Sequence, residues 1–182
     1  MKKTYVFFAD GFEEIEALTA VDVMRRAGMP VVTVSIYEHG FATGAHGVIV
    51  STDTVIEEVE LDDAAWLVLP GGMPGATNLR NCEQLCDALK AQNERGGGVA
   101  AICASPAIVL APLGILNGRE ATCYPGMQAD GCGVTWVDRP AVTCGNVITG
   151  QGPALAPHFA LAIVAAACGD DAAHQVAVGM LM

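Results

Sequence analysis

Gly96-Gly97-Gly98-Val99-Ala100-Ala101-Ile102-Cys103-Ala104-Ser105-Pro106 reads as a buried parallel strand that stops at a cysteine. The glycine-led apolar run has strand length, and a second apolar run of helical length, Ala107 to Leu113, follows the Ala-Ser-Pro turn. Strand, sharp turn and helix form an elbow with Cys103 at its tip. Such a turn lifts a side chain off the top of a sheet and sets it near the unpaired N–H groups of the next helix, where an anion is favoured. A thiolate is chemically reasonable there, although an unpaired cysteine is more often a small core residue.

The rest of the chain has to supply the sheet around that strand. With 182 residues it has the length of one ordinary domain, and 1–182 is read as a single domain. Hydrophobic residues make up 52% but aromatic ones only 5%, so the core is expected to be aliphatic and alanine-rich, as under a parallel sheet covered on both faces. The longest apolar run, Phe159 to Cys168, is too short to span a membrane. Lys2-Lys3 precedes too short an apolar run for a secretory signal, so a cytoplasmic location is expected. A net charge of −11 argues against nucleic acid and anionic membrane as partners. Seven cysteines, an odd number without paired metal spacing, are read as reduced thiols. Cys82 and Cys86 stand four apart on an expected helix, but nothing beside them completes a ligand set, and neither metal nor cofactor is expected.

In order, Thr4 to Ala9 is a strand ending at Asp10-Gly11, and Phe12 to Ala27 is a helix stopped by Gly28. Glu13, Glu14 and Glu16 crowd its first turn, where acids complement the dipole. Pro30 to Tyr37 is a second strand, and 38–51 a hairpin-like excursion carrying His39 and His46. Ala65 to Leu69 is a buried strand closed by Pro70-Gly71-Gly72-Met73-Pro74-Gly75, whose free backbone N–H groups suit an oxyanion hole. No Lys-Ser/Thr follows it, so it is not a P-loop. Asn78 to Arg95 reads as one helix and Glu120 to Cys123 as a short strand. Val147-Ile148 is a strand, with Ala141 to Cys144 before it separated by a turn or bulge at Gly145-Asn146. Ala154 to Cys168 and Asp170 to about Ala177 are helices. Strands alternating with helices give an α/β, doubly wound, mostly parallel sheet with helices on both faces. Ligands bind such sheets at the carboxyl ends of the strands, where the turns 10–16, 70–75 and 103–106 should meet.

Those turns, taken together, resemble the DJ-one/ThiJ/PfpI superfamily. The matching pieces are Ala9-Asp10-Gly11-Phe12-Glu13-Glu14-Ile15-Glu16, Val21-Asp22-Val23-Met24-Arg25-Arg26-Ala27-Gly28, Leu69-Pro70-Gly71-Gly72, Ala100-Ala101-Ile102-Cys103-Ala104 with Pro106, and Gly152-Pro153 leading to Phe159-Ala160-Leu161-Ala162-Ile163-Val164. They run in family order over nearly the whole chain. The resemblance implies a flavodoxin-like fold, a homodimer, Cys103 as the reactive residue and Glu16 as the acid beside it. Gly71, Gly72 and Ala104 would be the oxyanion-binding backbone, and His46, Arg26 and Ser105 the candidate pocket residues. The chemistry agrees, because a carboxyl beside a thiolate stays protonated and can donate to the sulfur, or to a sulfinate formed on it.

The chain departs from the family where Tyr124 stands in Ala121-Thr122-Cys123-Tyr124-Pro125, a position at which the DJ-one branch often has histidine. Ala104 follows the cysteine where the protease-like branch has histidine. Ser105 replaces a common glycine and His46 a common arginine. A tyrosine hydroxyl donates a hydrogen bond but is a poor base near neutrality, with a pKa of ~10. Tyr124 is nevertheless the third candidate catalytic residue; His158 and His174 are assigned no role. Two functions follow, with a small-molecule carbonyl or an oxidant as partner. One is an enzyme in which Cys103 attacks a glyoxal-type carbonyl. The other is a non-enzymatic oxidative-stress sensor or chaperone-like protein in which Cys103 oxidises to a sulfinate. A cysteine peptidase is third, weakened by the missing histidine.

Overall fold

The computed structural model describes residues 2–128 and 133–182. Cys132 lies outside them, and the other six cysteines are free. In chain order the elements are β1 (Thr4–Phe8), α1 (Glu14–Arg26), β2 (Val31–Ser35), β3 (Phe41–Thr43), β4 (Ile49–Ser51), β5 (Thr54–Val55), β6 (Trp66–Leu69), α2 (Gly75–Asn81), α3 (Glu83–Glu94), β7 (Gly98–Ile102), β8 (Glu120–Ala121), β9 (Thr135–Trp136), β10 (Ala141–Cys144), β11 (Val147–Gly150), α4 (Ala156–Cys168) and α5 (Asp170–Gly179). Seven strands form one sheet in the order β10-β11-β7-β6-β1-β2-β5, parallel except for the edge strand β10.

Burial of both sheet faces explains the near-continuous apolar strands. Side chains alternate along each strand between two cores. Val6, Phe8, Val68, Ala100, Ile102 and Ile148 face α1, α4 and α5. Tyr5, Phe7, Leu67, Leu69, Val99 and Ala101 face Leu79 of α2, Leu85 and Leu89 of α3, and the segment after Cys103. The expected doubly wound, flavodoxin-like α/β arrangement is therefore what the chain adopts. Because β1 leads to a helix on one face and its neighbour β6 to helices on the other, the loops leaving them diverge and open a crevice at their carboxyl ends.

Two stretches differ from the expectations of sequence, and a third settles a choice that sequence left open. The single helix over 78–95 is two, broken at Cys82, whose backbone is extended (φ −81, ψ 100). At about 100° per residue, one continuous helix would turn Leu79 roughly 120° away from Leu85, and the break lets both face the sheet. The helix over 107–113 is a single π-helical turn, Pro106–Leu110, closed by Ala111 N–H to the Pro106 carbonyl at 2.9 Å. Pro112 has no N–H with which to continue it. The split at Gly145-Asn146 is a two-residue hairpin between β10 and β11, with Gly145 at φ +62. No helix among the described residues is long and apolar enough to cross a membrane.

Candidate active site

Cys103 ends β7 in a left-handed conformation, φ +65, which a residue with a Cβ adopts at a cost. Several hydrogen bonds hold it there. Its N–H donates to the Gly150 carbonyl at 2.9 Å, and its carbonyl accepts from Tyr124 N–H at 2.8 Å. The Ser105 hydroxyl donates to the Pro70 carbonyl at 2.5 Å, joining the cysteine turn to the loop after β6. Cys103 is only 7% exposed, so a reactant that reaches its sulfur has to be small.

Glu16 reaches the same place from the first turn of α1 and is fully buried. Glu13 caps that helix: its Oε2 accepts the Glu16 N–H at 2.8 Å, a carboxylate in place of the usual cap hydroxyl. Glu13 N–H donates to the Gly71 carbonyl at 3.0 Å, while Gly71 N–H donates to Glu16 Oε2 at 2.8 Å. The loops after β1 and β6 are thus laced together backbone to backbone. Glu16 Oε1 is buried without a hydrogen-bond partner, and the carboxyl lies beside the Cys103 thiol. The N–H groups of Gly72 and Ala104 lie near enough to favour the thiolate form of Cys103. One reading from sequence is corrected here. Gly71 is not a donor to a bound oxyanion, because its N–H is committed to Glu16, and Gly72 and Ala104 are the two donors left.

Burial pushes the Glu16 carboxyl up to about 7, against the hydrogen bonds from Cys103 and Gly71 that favour its ionised form. Burial, then the negative charge of Glu16, push the Cys103 thiol up to about 12. These values describe one pair that shares a proton. A thiol opposite an ionised Glu16 cannot ionise readily, because two anions would then face each other in a low dielectric. Moving the thiol proton onto Glu16 creates a thiolate without adding charge, and Gly72 and Ala104 solvate it. The buried carboxyl also makes stability depend on pH. Between pH 4.5 and 7 the folded state retains a proton that the unfolded chain has lost. Stability present below pH 4.5 therefore falls as pH rises through 7, by roughly 3 kcal/mol for the full shift. Urea denaturation across that window is expected to show the fall in wild type and a flatter profile in Glu16→Gln.

The remaining candidates are spread out. Tyr124 follows the Cys103 carbonyl through its backbone bond, and its 47% exposed ring lies against Gly152. His46 is outside the cysteine pair: its N–H and Nδ1 both meet the buried Glu14 carboxylate at 2.7 Å, which raises the imidazole pKa and lowers that of Glu14. Among the described residues, Glu13, Glu14 and His46 form a group with ligand atoms within 4.8 Å of one another, but Nδ1 is already occupied by Glu14. Arg26 is corrected as a pocket residue. It lies at the far end of α1, paired with Asp22 at 2.7 Å and lining a groove with Gln175 and Val176 of α5. Ser105 acts through Pro70. The Glu14–His46 pair and the anchoring of Cys103 by Gly150 were not anticipated from sequence, since no spacing joins residues so far apart. The Glu13 cap was visible as a carboxylate three residues before Glu16.

Comparison with known proteins gives this geometry its family. Residues 2–166 match the model of the DJ-1/PfpI family. The chain is 36% identical over 183 residues to protein dj-1beta of Drosophila melanogaster, covering all of this chain and 97% of that one. It is 35% identical over 153 residues to a deglycase of Pyrococcus abyssi, covering 83% and 90% of the two. It is 35% identical over 174 residues to DJ-1 homolog B of Arabidopsis thaliana, of which it spans 40% of the length. The oxidised DJ-1 structure of Toxoplasma gondii superposes with a TM-score of 0.93 at 33% identity, covering 100% and 98% of the two chains. By sequence and by fold, the chain belongs to the DJ-1/PfpI family.

Proposed function

We propose that this protein handles small reactive carbonyls of the glyoxal type through Cys103. The observation that carries the reading is the buried Cys103–Glu16 pair beneath two backbone donors, Gly72 and Ala104. Glu16 accepts the thiol proton, and the sulfur attacks the aldehyde carbon. The carbonyl oxygen takes that proton back from Glu16 as the S–C bond forms, giving a hemithioacetal beside the donors and leaving Glu16 ionised. Glu16 then carries the proton from that carbon to the neighbouring ketone oxygen, and after tautomerisation to the thioester, water releases the hydroxy acid and the thiol. Substrate and water together account for every atom of the product. Tyr124, partly exposed and joined to the Cys103 carbonyl through its N–H, is the candidate hydrogen-bond donor to substrate.

A second reading, oxidative sensing, is favoured by Glu16 Oε1, which is buried without a partner and, when the carboxyl is protonated, can donate to an oxygen on the neighbouring sulfur. The same preparation tests both: methylglyoxal consumption, and peptide mass mapping after graded peroxide. Turnover that disappears when Cys103 is oxidised supports the enzyme. Conversion of Cys103 to sulfinate without any turnover supports the sensor, and inertness to both reagents overturns both readings. We assign the protein to the cytoplasm and to a homodimer. Exposed Ile15 and Leu18 of α1, with Val48 and Ile49 of the hairpin pinned to α1 by Glu14–His46, offer the apolar face. Sedimentation is expected to give twice the chain mass.

A further inference from the structure

Cys82 and Cys86 lie where α2 meets α3. Cys86 N–H donates to the Cys82 carbonyl at 3.0 Å, closing the two residues into one backbone turn. The Cys86 sulfur is folded back against the end of α2: it donates to the Arg80 carbonyl at 3.1 Å and lies 4.0 Å from the Leu79 carbonyl. That Leu79 oxygen also accepts the Cys82 N–H, at 3.2 Å. One oxygen atom is therefore flanked by the backbone of Cys82 and the sulfur of Cys86. Helical residues four apart have Cβ atoms ~5–6 Å apart, and a disulfide requires ~3.5–4.5 Å. Cys82 is the joint between the helices, extended rather than helical, so its side chain is not fixed at the helical spacing from Cys86. The sulfurs differ in access and surroundings. Cys82 is half-buried, whereas Cys86 is 5% exposed with the Arg80 guanidinium 3.8 Å from its sulfur. Among the described residues, no third ligand gathers with the pair, so its chemistry is that of a dithiol rather than a metal site.

We propose that Cys82 and Cys86 are a second oxidation site, which closes to an intramolecular disulfide on reaction with a peroxide. The Cys82 thiolate attacks one peroxide oxygen, the O–O bond breaks, and Cys82 becomes a sulfenic acid as water leaves. The Cys86 sulfur then displaces the sulfenic hydroxyl, which takes the Cys86 proton and leaves as a second water. Two thiols and one hydrogen peroxide give one disulfide and two waters, the two sulfurs losing the two electrons that the peroxide gains.

Trypsin cleavage after Arg80 and Lys90 leaves both cysteines in the peptide Asn81–Lys90. After graded hydrogen peroxide, blocking with iodoacetamide and digestion without reductant, that peptide is expected unalkylated and lighter by two hydrogens. Further cleavage after Glu83 is expected to leave two fragments that stay joined until dithiothreitol is added. The same product is expected in Cys103→Ser, which separates this site from the chemistry of Cys103. In Cys86→Ser, Cys82 is expected to be trapped by dimedone as a sulfenic acid. The proposal is overturned if, at a peroxide dose that fully oxidises wild-type Cys103, the peptide still carries two alkyl groups. Separate sulfinic acids at the two positions, or a cross-link to a second copy, overturn it equally.

Discussion

Cys103→Ser is expected to abolish methylglyoxal consumption, a loss of at least ~10³-fold and in practice to the buffer background, while leaving the fold intact. The size of the loss follows from the chemistry, since removing a covalent nucleophile costs most of the catalysis that depends on it. A serine hydroxyl is a far weaker acid than a thiol, and the acceptor beside it is Glu16, already near 7. His46 does not serve in its place, because its Nδ1 is committed to Glu14. The fold should survive because Ser and Cys are close in size and the turn is held by backbone bonds, Cys103 N–H to Gly150 and Tyr124 N–H to Cys103. The check is product formation against time, with circular dichroism and thermal unfolding on the same sample. Turnover near the wild-type rate in the folded variant would mean that another residue carries the reaction.

The elbow at Cys103 was legible because its signals are local: a glycine-led apolar run, a stop at cysteine, then Ala-Ser-Pro. The meeting of the loops after β1, β6 and β7 was legible through one topological rule about parallel sheets, without knowing any contact. What sequence left out depends on long-range register. That Gly71 N–H points to Glu16, and so is lost as an oxyanion donor, is set by how closely the loop after β6 approaches α1. Nothing in Leu69-Pro70-Gly71-Gly72 distinguishes the two glycines. Arg26 was misplaced for the opposite reason: a motif shared with the family places the residue on α1, but only the length of the helix shows that it lies at the end remote from Glu16. The break at Cys82 left a trace in the phase of Leu79 against Leu85, although hydrophobicity alone ran through it.

The close approach at Gly71 leads to the second large effect. A Cβ at Gly71 would lie 2.5 Å from the Cys103 Cβ, 2.7 Å from Glu16 Oε2 and 2.9 Å from the Ile102 carbonyl oxygen. All three neighbours are buried, and the one that ends a side chain, Glu16 Oε2, is held in place by the Gly71 N–H itself. The conformation of Gly71 is not left-handed, so Gly71→Ala isolates the clash from backbone strain. Overpacking of this kind costs about 1–3 kcal/mol of stability. The effect on activity should be larger in proportion, about 10²-fold or more, because relief of the clash has to separate the two groups that exchange the proton, or lengthen the Gly71–Glu16 bond that orients the acid. Gly179→Ala is the matched control: it lies in α5 with nothing within 4 Å of the added methyl and no left-handed φ, and is expected to be neutral or slightly stabilising. Urea unfolding and methylglyoxal turnover measured on both variants decide the matter. If Gly71→Ala keeps wild-type turnover, the close contact between the loop after β6 and the Cys103–Glu16 pair is not what sets the chemistry.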